Sequence, residues 1–152
     1  MDRAALDAAI ELGVPYGGWC PAGGWAEDLP DPPGVLAAYP ELRQTPDADP
    51  RQRTEWNLRD SDAVLVLTRR DAVSPGTELA EELVRARGVP NLVVEVADPS
   101  AQERIAEFIS ALAPDATLTV GGPRESEAPG IYAQAFELLR RALAAQASGV
   151  DD

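Results

Sequence analysis

The sequence predicts a single α/β domain of Rossmann-like, doubly wound type, with a mostly parallel sheet flanked by helices. Three observations carry this. Strand-like and helix-like segments alternate throughout; the run Ala63–Leu67, AVLVL, has no polar face and suits a strand buried on both sides; and glycine-bearing turns recur directly after the strands. With 152 residues the chain fits one domain able to bury a core without staples. We take residues 1–146 as that domain and 147–152 as a disordered acidic tail.

The elements follow in order. Asp2 to Leu12 carries apolar residues at 5, 6, 9 and 10, a helical stripe that ends at Gly13 before Pro15. Val14 to Tyr16 reads as a short strand opening into the loop Gly17-Gly18-Trp19-Cys20-Pro21. Residues 21–50 hold seven of the 14 prolines and few apolar runs, so they read as a long covering loop. Arg51 to Asp60 is a helix with a Glu55–Arg59 pair. After the strand at 63–67, Ser74 caps and Pro75 opens a helix that buries Leu79, Ala80, Leu83 and Val84 and stops at Gly88.

The strand at 92–96 leads to a capping box, Ser100 with Glu103, and a helix striped by Ile105, Phe108, Ile109 and Leu112. The strand at 117–120 precedes VGGPRES. The last helix, Ile131 to Ala145, turns Tyr132, Ala135, Phe136, Leu139 and Leu143 inward.

Composition narrows the chemistry. There is no histidine and no lysine, which removes a Ser-His-Asp triad, a histidine metal site, a Schiff base and a Walker lysine. The net charge of −13 argues against nucleic acid and anionic lipid as partners. No apolar run approaches the ~18 residues that a membrane helix needs, and the start lacks signal-peptide character, so a cytoplasmic, soluble protein is expected. Cys20 has no second cysteine with which to form a disulfide.

In a doubly wound sheet, ligands sit beyond the carboxyl ends of the strands. There the loops bearing Gly17 and Gly18, Ser74 to Thr77, and Gly121 to Ser126 should gather. Gly122, Arg124, Glu125 and Ser126 present glycine, a forked guanidinium and a hydroxyl, which suit an anion. A tight turn with a solvated Arg124 would look the same. Ser74, Gly76 and Thr77 stand at a helix N-terminus, where free N–H groups favour phosphate, or where Ser-Pro merely caps. Arg53, Asn57 and Asp60 share one helix face that either offers donors to a ligand or is solvated. Trp56 reads as core. Glu78, Glu81 and Glu82 stand either as a general base or as ordinary first-turn acids. Cys20 is a reactive thiol or a small buried hydrophobe.

Taken in order, DRAALDAAIELG, PYGGWCP, AED at 26–28, YP at 39–40, QRTEWNLRDSD, GT at 76–77 and GPRES with PGIY resemble the molybdenum carrier family over nearly the whole chain. That resemblance implies a Rossmann-like fold related to the lonely-guy and DprA superfamily. It also implies a homo-oligomeric carrier that binds molybdenum cofactor, a molybdopterin with a phosphate group, and serves molybdoenzymes. On that reading the contacts include Arg53, Asn57, Gly76, Thr77 and Arg124, no metal is held by the protein directly, and no residue is catalytic. Members begin with a strand and a Gly-Gly-Gln-Thr-Gly loop ahead of the Asp-Arg-Ala-Ala-Leu helix, so a shortened start is expected here. After Trp-Cys-Pro, uncharged Ala22 to Trp25 replace the usual Lys-Gly-Arg, and Pro75 replaces a glycine. A second reading treats Pro75-Gly76-Thr77 with Glu78 and Glu81 as part of the signature of lonely-guy phosphoribohydrolases, nucleotide-processing enzymes that release a base from a nucleoside monophosphate.

Overall fold

The computed structural model describes residues 2–150. Its elements are α1 (Asp2–Glu11), β1 (Trp19–Cys20), β2 (Arg43–Gln44), α2 (Pro50–Arg59), β3 (Ala63–Thr68), α3 (Pro75–Arg87), β4 (Asn91–Glu95), α4 (Ala101–Ser110), β5 (Leu118–Gly121) and α5 (Ile131–Val150).

Three strands form the main sheet in the order β4-β3-β5, all parallel, with Leu65 opposite both Leu92 and Val120. β3 is the centre, which is why its run is apolar throughout. Leu65 and Leu67 face one core with Ala4 and Ala8 of α1, Ile105 of α4, and Ala135, Leu139 and Ala142 of α5. Val64 and Val66 face the other core with Leu58 of α2 and Ala80 and Val84 of α3. The two-residue period of the strand therefore distributes one sequence run between two helical layers. The chain leaves β3 for β4 on one side through α3, then returns past β3 to β5 through α4. The carboxyl ends of β3 and β5 thus flank the point where the connections diverge, the place where such sheets hold ligands.

α3 begins and ends as its sequence dictates: Ser74 accepts from Thr77 N–H at 3.2 Å, Pro75 is first in the helix, and Gly88 closes it at φ 69°. Several local expectations are corrected. Val14 to Tyr16 is not a strand; the chain stays irregular there and the strand is Trp19–Cys20, paired in parallel with Arg43–Gln44 as a separate small sheet. At α4 the side chain of Ser100 makes no cap bond to the helix. It donates instead to Asp98 at 2.7 Å, because the aspartate two residues back offers a nearer acceptor. Glu55 pairs with Arg51 at 3.0 Å, and Arg59 turns to Asp60 at 2.8 Å.

Residues 21–50 carry two 3-10 turns (Ala22–Gly24 and Gly34–Ala37) and β2, and Val35 and Tyr39 of this segment form a small core with Cys20 of β1. Their compactness depends on a backbone contact: a Cβ on Gly34 would stand 2.0 Å from the carbonyl oxygen of Gly24.

Tyr132 is 38% exposed rather than inward. Its hydroxyl reaches Asp7, which also accepts from Tyr39 at 2.6 Å, joining α1, the covering segment and α5. The last helix continues past the expected end at Ala145 to Val150. Of the expected tail, Asp151 and Asp152 lie outside the described residues.

Candidate functional site

The loops after β3 and β5 meet at the sheet's carboxyl edge, and a glutamate joins them. Glu127 accepts from the backbone N–H of Arg124 at 2.8 Å and stands 3.5 Å from its guanidinium. Burial pushes the carboxyl of Glu127 up, but that N–H, the Ser74 hydroxyl and Arg124 together hold it below its ordinary value. Arg69, at the end of β3, reaches across to the carbonyl of Pro129 at 2.5 Å and pairs with Asp71 at 2.7 Å. The GPRES loop is therefore held on the sheet from two sides.

Within that loop the expected residues have separate tasks. Glu125 accepts from the N–H groups of Gly130 at 2.6 Å and Tyr132 at 3.0 Å, so it caps α5. Those two N–H bonds, Tyr132 first, lower its carboxyl from the ordinary value. Ser126 and Arg124 instead aim at one carboxylate, that of Glu27. Ser126 donates to it from its hydroxyl at 2.8 Å and its N–H at 3.4 Å, and the Arg124 guanidinium lies 3.3 Å away. A hydroxyl, an N–H and a guanidinium converging on one anion form a small oxyanion cradle. Gly122 precedes this loop and is half-buried.

The α3 terminus is tied to the same edge by the contact between Ser74 and Glu127. Its hydroxyls, however, are engaged with each other: Thr77 donates to Ser74 at 2.7 Å, and both residues are buried. Gly76 beside them is exposed, with open space where a Cβ would stand. Glu78 is exposed in the first turn, and Glu81 lies 4.0 Å from Arg85 on its own helix.

Gly17, Gly18, Arg53 and Asn57 gather around β1 and α2. The Asn57 carboxamide accepts from Trp19 N–H at 2.8 Å and donates to Trp19 C=O at 3.1 Å, pairing with the strand as another strand would. Gly18 stands at φ 124°, and a Cβ there would meet the Asn57 oxygen at 2.9 Å, so its glycine character serves this contact. Gly17 is exposed, with open space where a Cβ would stand. Asp60 accepts from the Trp19 indole N–H at 2.7 Å and from Arg59, and these bonds, Arg59 first, lower its carboxyl to about 2.

Trp56 is half-buried, edge-on to Trp19 at 4.7 Å and under Arg59 at 4.5 Å. Cys20 is buried, and burial pushes its thiol up against the opposing charge of Arg53, so it is not an activated nucleophile.

Among the described residues, open concavities lie elsewhere. One of about 380 Å³ is lined by Trp25, Pro30, Pro32 and Pro50 among others, and one of about 470 Å³ by Arg70, Glu95, Ala97, Asp98 and Pro99. Neither is lined by Arg124 or Ser126, whose donors lie under Glu27. Among the described residues no cluster of His, Cys, Asp or Glu is arranged to hold a metal ion, and no helix is long and apolar enough to cross a membrane.

Sequence reasoning missed Glu27, Glu127 and Arg69. The spacing Arg124-x-x-Glu127 was a readable signal for one of them. Nothing in the sequence pointed from Glu27 to a loop 97 residues away.

Comparison with known proteins gives two matches. The model of a family described as the circularly permutated YpsA SLOG family matches residues 1–143. A crystal structure from Syntrophus aciditrophicus SB, named "Putative molybdenum carrier protein", superposes with a TM-score of 0.78 at 31% identity, covering 93% of this chain and 87% of that one. No curated protein matches the chain.

Proposed function

Because the chain belongs to the circularly permuted YpsA SLOG family, we propose that it binds a small phosphate-bearing ligand, molybdenum cofactor, and holds it without converting it. The observation that carries this reading is the convergence of Arg124 and Ser126 on a single carboxylate at the sheet's carboxyl edge. A phosphate oxygen asks for the same donors as that carboxylate oxygen. The protein structure it resembles bears the name of a putative molybdenum carrier and shares the fold over most of both chains, which supports molybdenum cofactor, with its pterin phosphate, as the ligand of this reading. In this reading Arg124 and Ser126 hold the phosphate. Gly76 at the start of α3 lies on the same edge, and the dipole of α3 adds to the field that an anion meets.

The reading extends to a cytoplasmic homo-oligomer that passes its cargo to molybdoenzymes. It is tested by purifying the chain from a host that makes the cofactor. The expected outcome is molybdenum by elemental analysis together with oxidised-pterin fluorescence, both reduced by Arg124→Ala. Protein carrying neither overturns the reading. Release of free base from a nucleoside monophosphate would overturn the non-catalytic part and favour a phosphoribohydrolase.

A further inference from the structure

Glu27 does not belong to the loop it contacts. It comes from the covering segment, at the tip of a tight turn closed by Ala26 and Leu29, whose backbones exchange bonds at 3.2 and 3.0 Å. That tip carries two adjacent carboxylates to two different arginines. Asp28 reaches Arg3 of α1 at 2.6 Å, while Glu27 reaches Arg124 and Ser126. We propose that Glu27 is a built-in competitor for the anion cradle: a phosphate-bearing ligand binds by displacing it, so Glu27 determines which anions the site accepts. This rests on the reading of Arg124 and Ser126 as the phosphate cradle.

The charges decide the point. One guanidinium, Arg124, is shared by two carboxylates, Glu27 and Glu127. A third anion at that spot meets two like charges for one cation and asks for the Ser126 and Arg124 donors that Glu27 already occupies. One carboxylate must therefore leave. Glu127 is the more committed of the two: its side chain is 13% exposed, and it also holds the backbone N–H of Arg124 and the Ser74 hydroxyl. Glu27 is 30% exposed and sits on a surface turn.

When Glu27 swings out, Asp28 on Arg3 keeps the turn attached to the domain, so the exchange moves one side chain and its turn and leaves the sheet alone. The selectivity follows from charge. A carboxylate monoanion merely replaces Glu27 with its equal, whereas a phosphate dianion offers more charge and more oxygens to the same donors.

The experiment titrates the full chain with inorganic phosphate and with acetate by calorimetry, comparing wild type, Glu27→Gln, and Glu27→Gln combined with Arg124→Ala. Glu27→Gln keeps the side chain's size and an acceptor for Ser126 while removing the competing charge. It is expected to bind phosphate about tenfold more tightly than wild type, a ratio that corresponds to about 1.4 kcal/mol, and to narrow the preference for phosphate over acetate. The double variant should lose this binding. In wild type, phosphate should also speed amide hydrogen exchange at Ala26 and Leu29.

Phosphate binding that depends on Arg124 but is unchanged or weakened by Glu27→Gln overturns the competitor and leaves the cradle standing. No phosphate binding by wild type or Glu27→Gln overturns both.

Discussion

Replacing Asn57 by alanine tests whether that residue is a strut of the fold. Its carboxamide satisfies both backbone groups of Trp19, at 2.8 and 3.1 Å, in a half-buried setting. Each bond is worth about 0.5–1.5 kcal/mol net, so losing both costs about 1–3 kcal/mol, toward the upper end because Trp19 is left with unpaired groups that water reaches poorly. For a domain of this size that lowers Tm by roughly 3–9 °C.

The assay is urea denaturation followed by tryptophan fluorescence, which is suited to the site because Trp19 and Trp56 meet edge to face at 4.7 Å. Gly18→Ala supplies the second arm. It is strained at φ 124° and crowds the Asn57 oxygen at 2.9 Å. In the Asn57→Ala background the crowding disappears and the backbone strain persists, so the two losses should sum to more than the double variant's loss. An Asn57→Ala protein within about 0.5 kcal/mol of wild type, the range of ordinary surface changes, would refute the strut.

Two further outcomes concern pH. Asp60 is held at about 2 against an ordinary 3.8 by Arg59 and the Trp19 indole. A carboxylate lowered on folding adds stability above its unfolded value and loses it as pH falls toward the folded one. Wild type should therefore lose stability between about pH 4 and pH 2 more steeply than Asp60→Asn, with the difference read from urea midpoints at each pH. Tyr132 moves the other way: its bond to Asp7 foremost, then burial, raise the hydroxyl from 10.0 to about 12. A group raised on folding contributes below its unfolded value, and this is lost as pH rises through the folded one. Ultraviolet absorbance should show Tyr132 ionising at lower pH in Asp7→Asn, and an unchanged alkaline titration would refute the contact.

The parts of the fold legible in the sequence are those fixed by local periodicity and backbone chemistry. AVLVL announced a strand covered on both faces, and Ser74-Pro75 with Gly88 announced the start and stop of α3 within a residue. Errors arose where two short-range options were near in energy. Ser100 had a nearer acceptor in Asp98, Arg51 competed with Arg59 for Glu55, and the apolar run Val14–Tyr16 was too short for a period to tell strand from coil.

In the candidate site, glycine, arginine and serine in a loop after a strand suited either an anion or an ordinary tight turn, and residue chemistry alone left both open. The sequence could not divide the labour within it. That Glu125 caps α5 while Arg124 and Ser126 face Glu27 depends on where α5 and the covering segment come to rest.

By itself, then, the sequence determined the α/β class, the two-faced central strand and the absence of histidine and lysine chemistry. Each of these is written in neighbouring residues or in plain composition. Only the tertiary structure decided that Asn57 and Gly18 serve β1, that Glu127 binds the α3 cap to the GPRES loop, and that Glu27 fills the cradle. These contacts join side chains distant along the chain, at separations set by how helices and strands pack, and no local pattern encodes that distance.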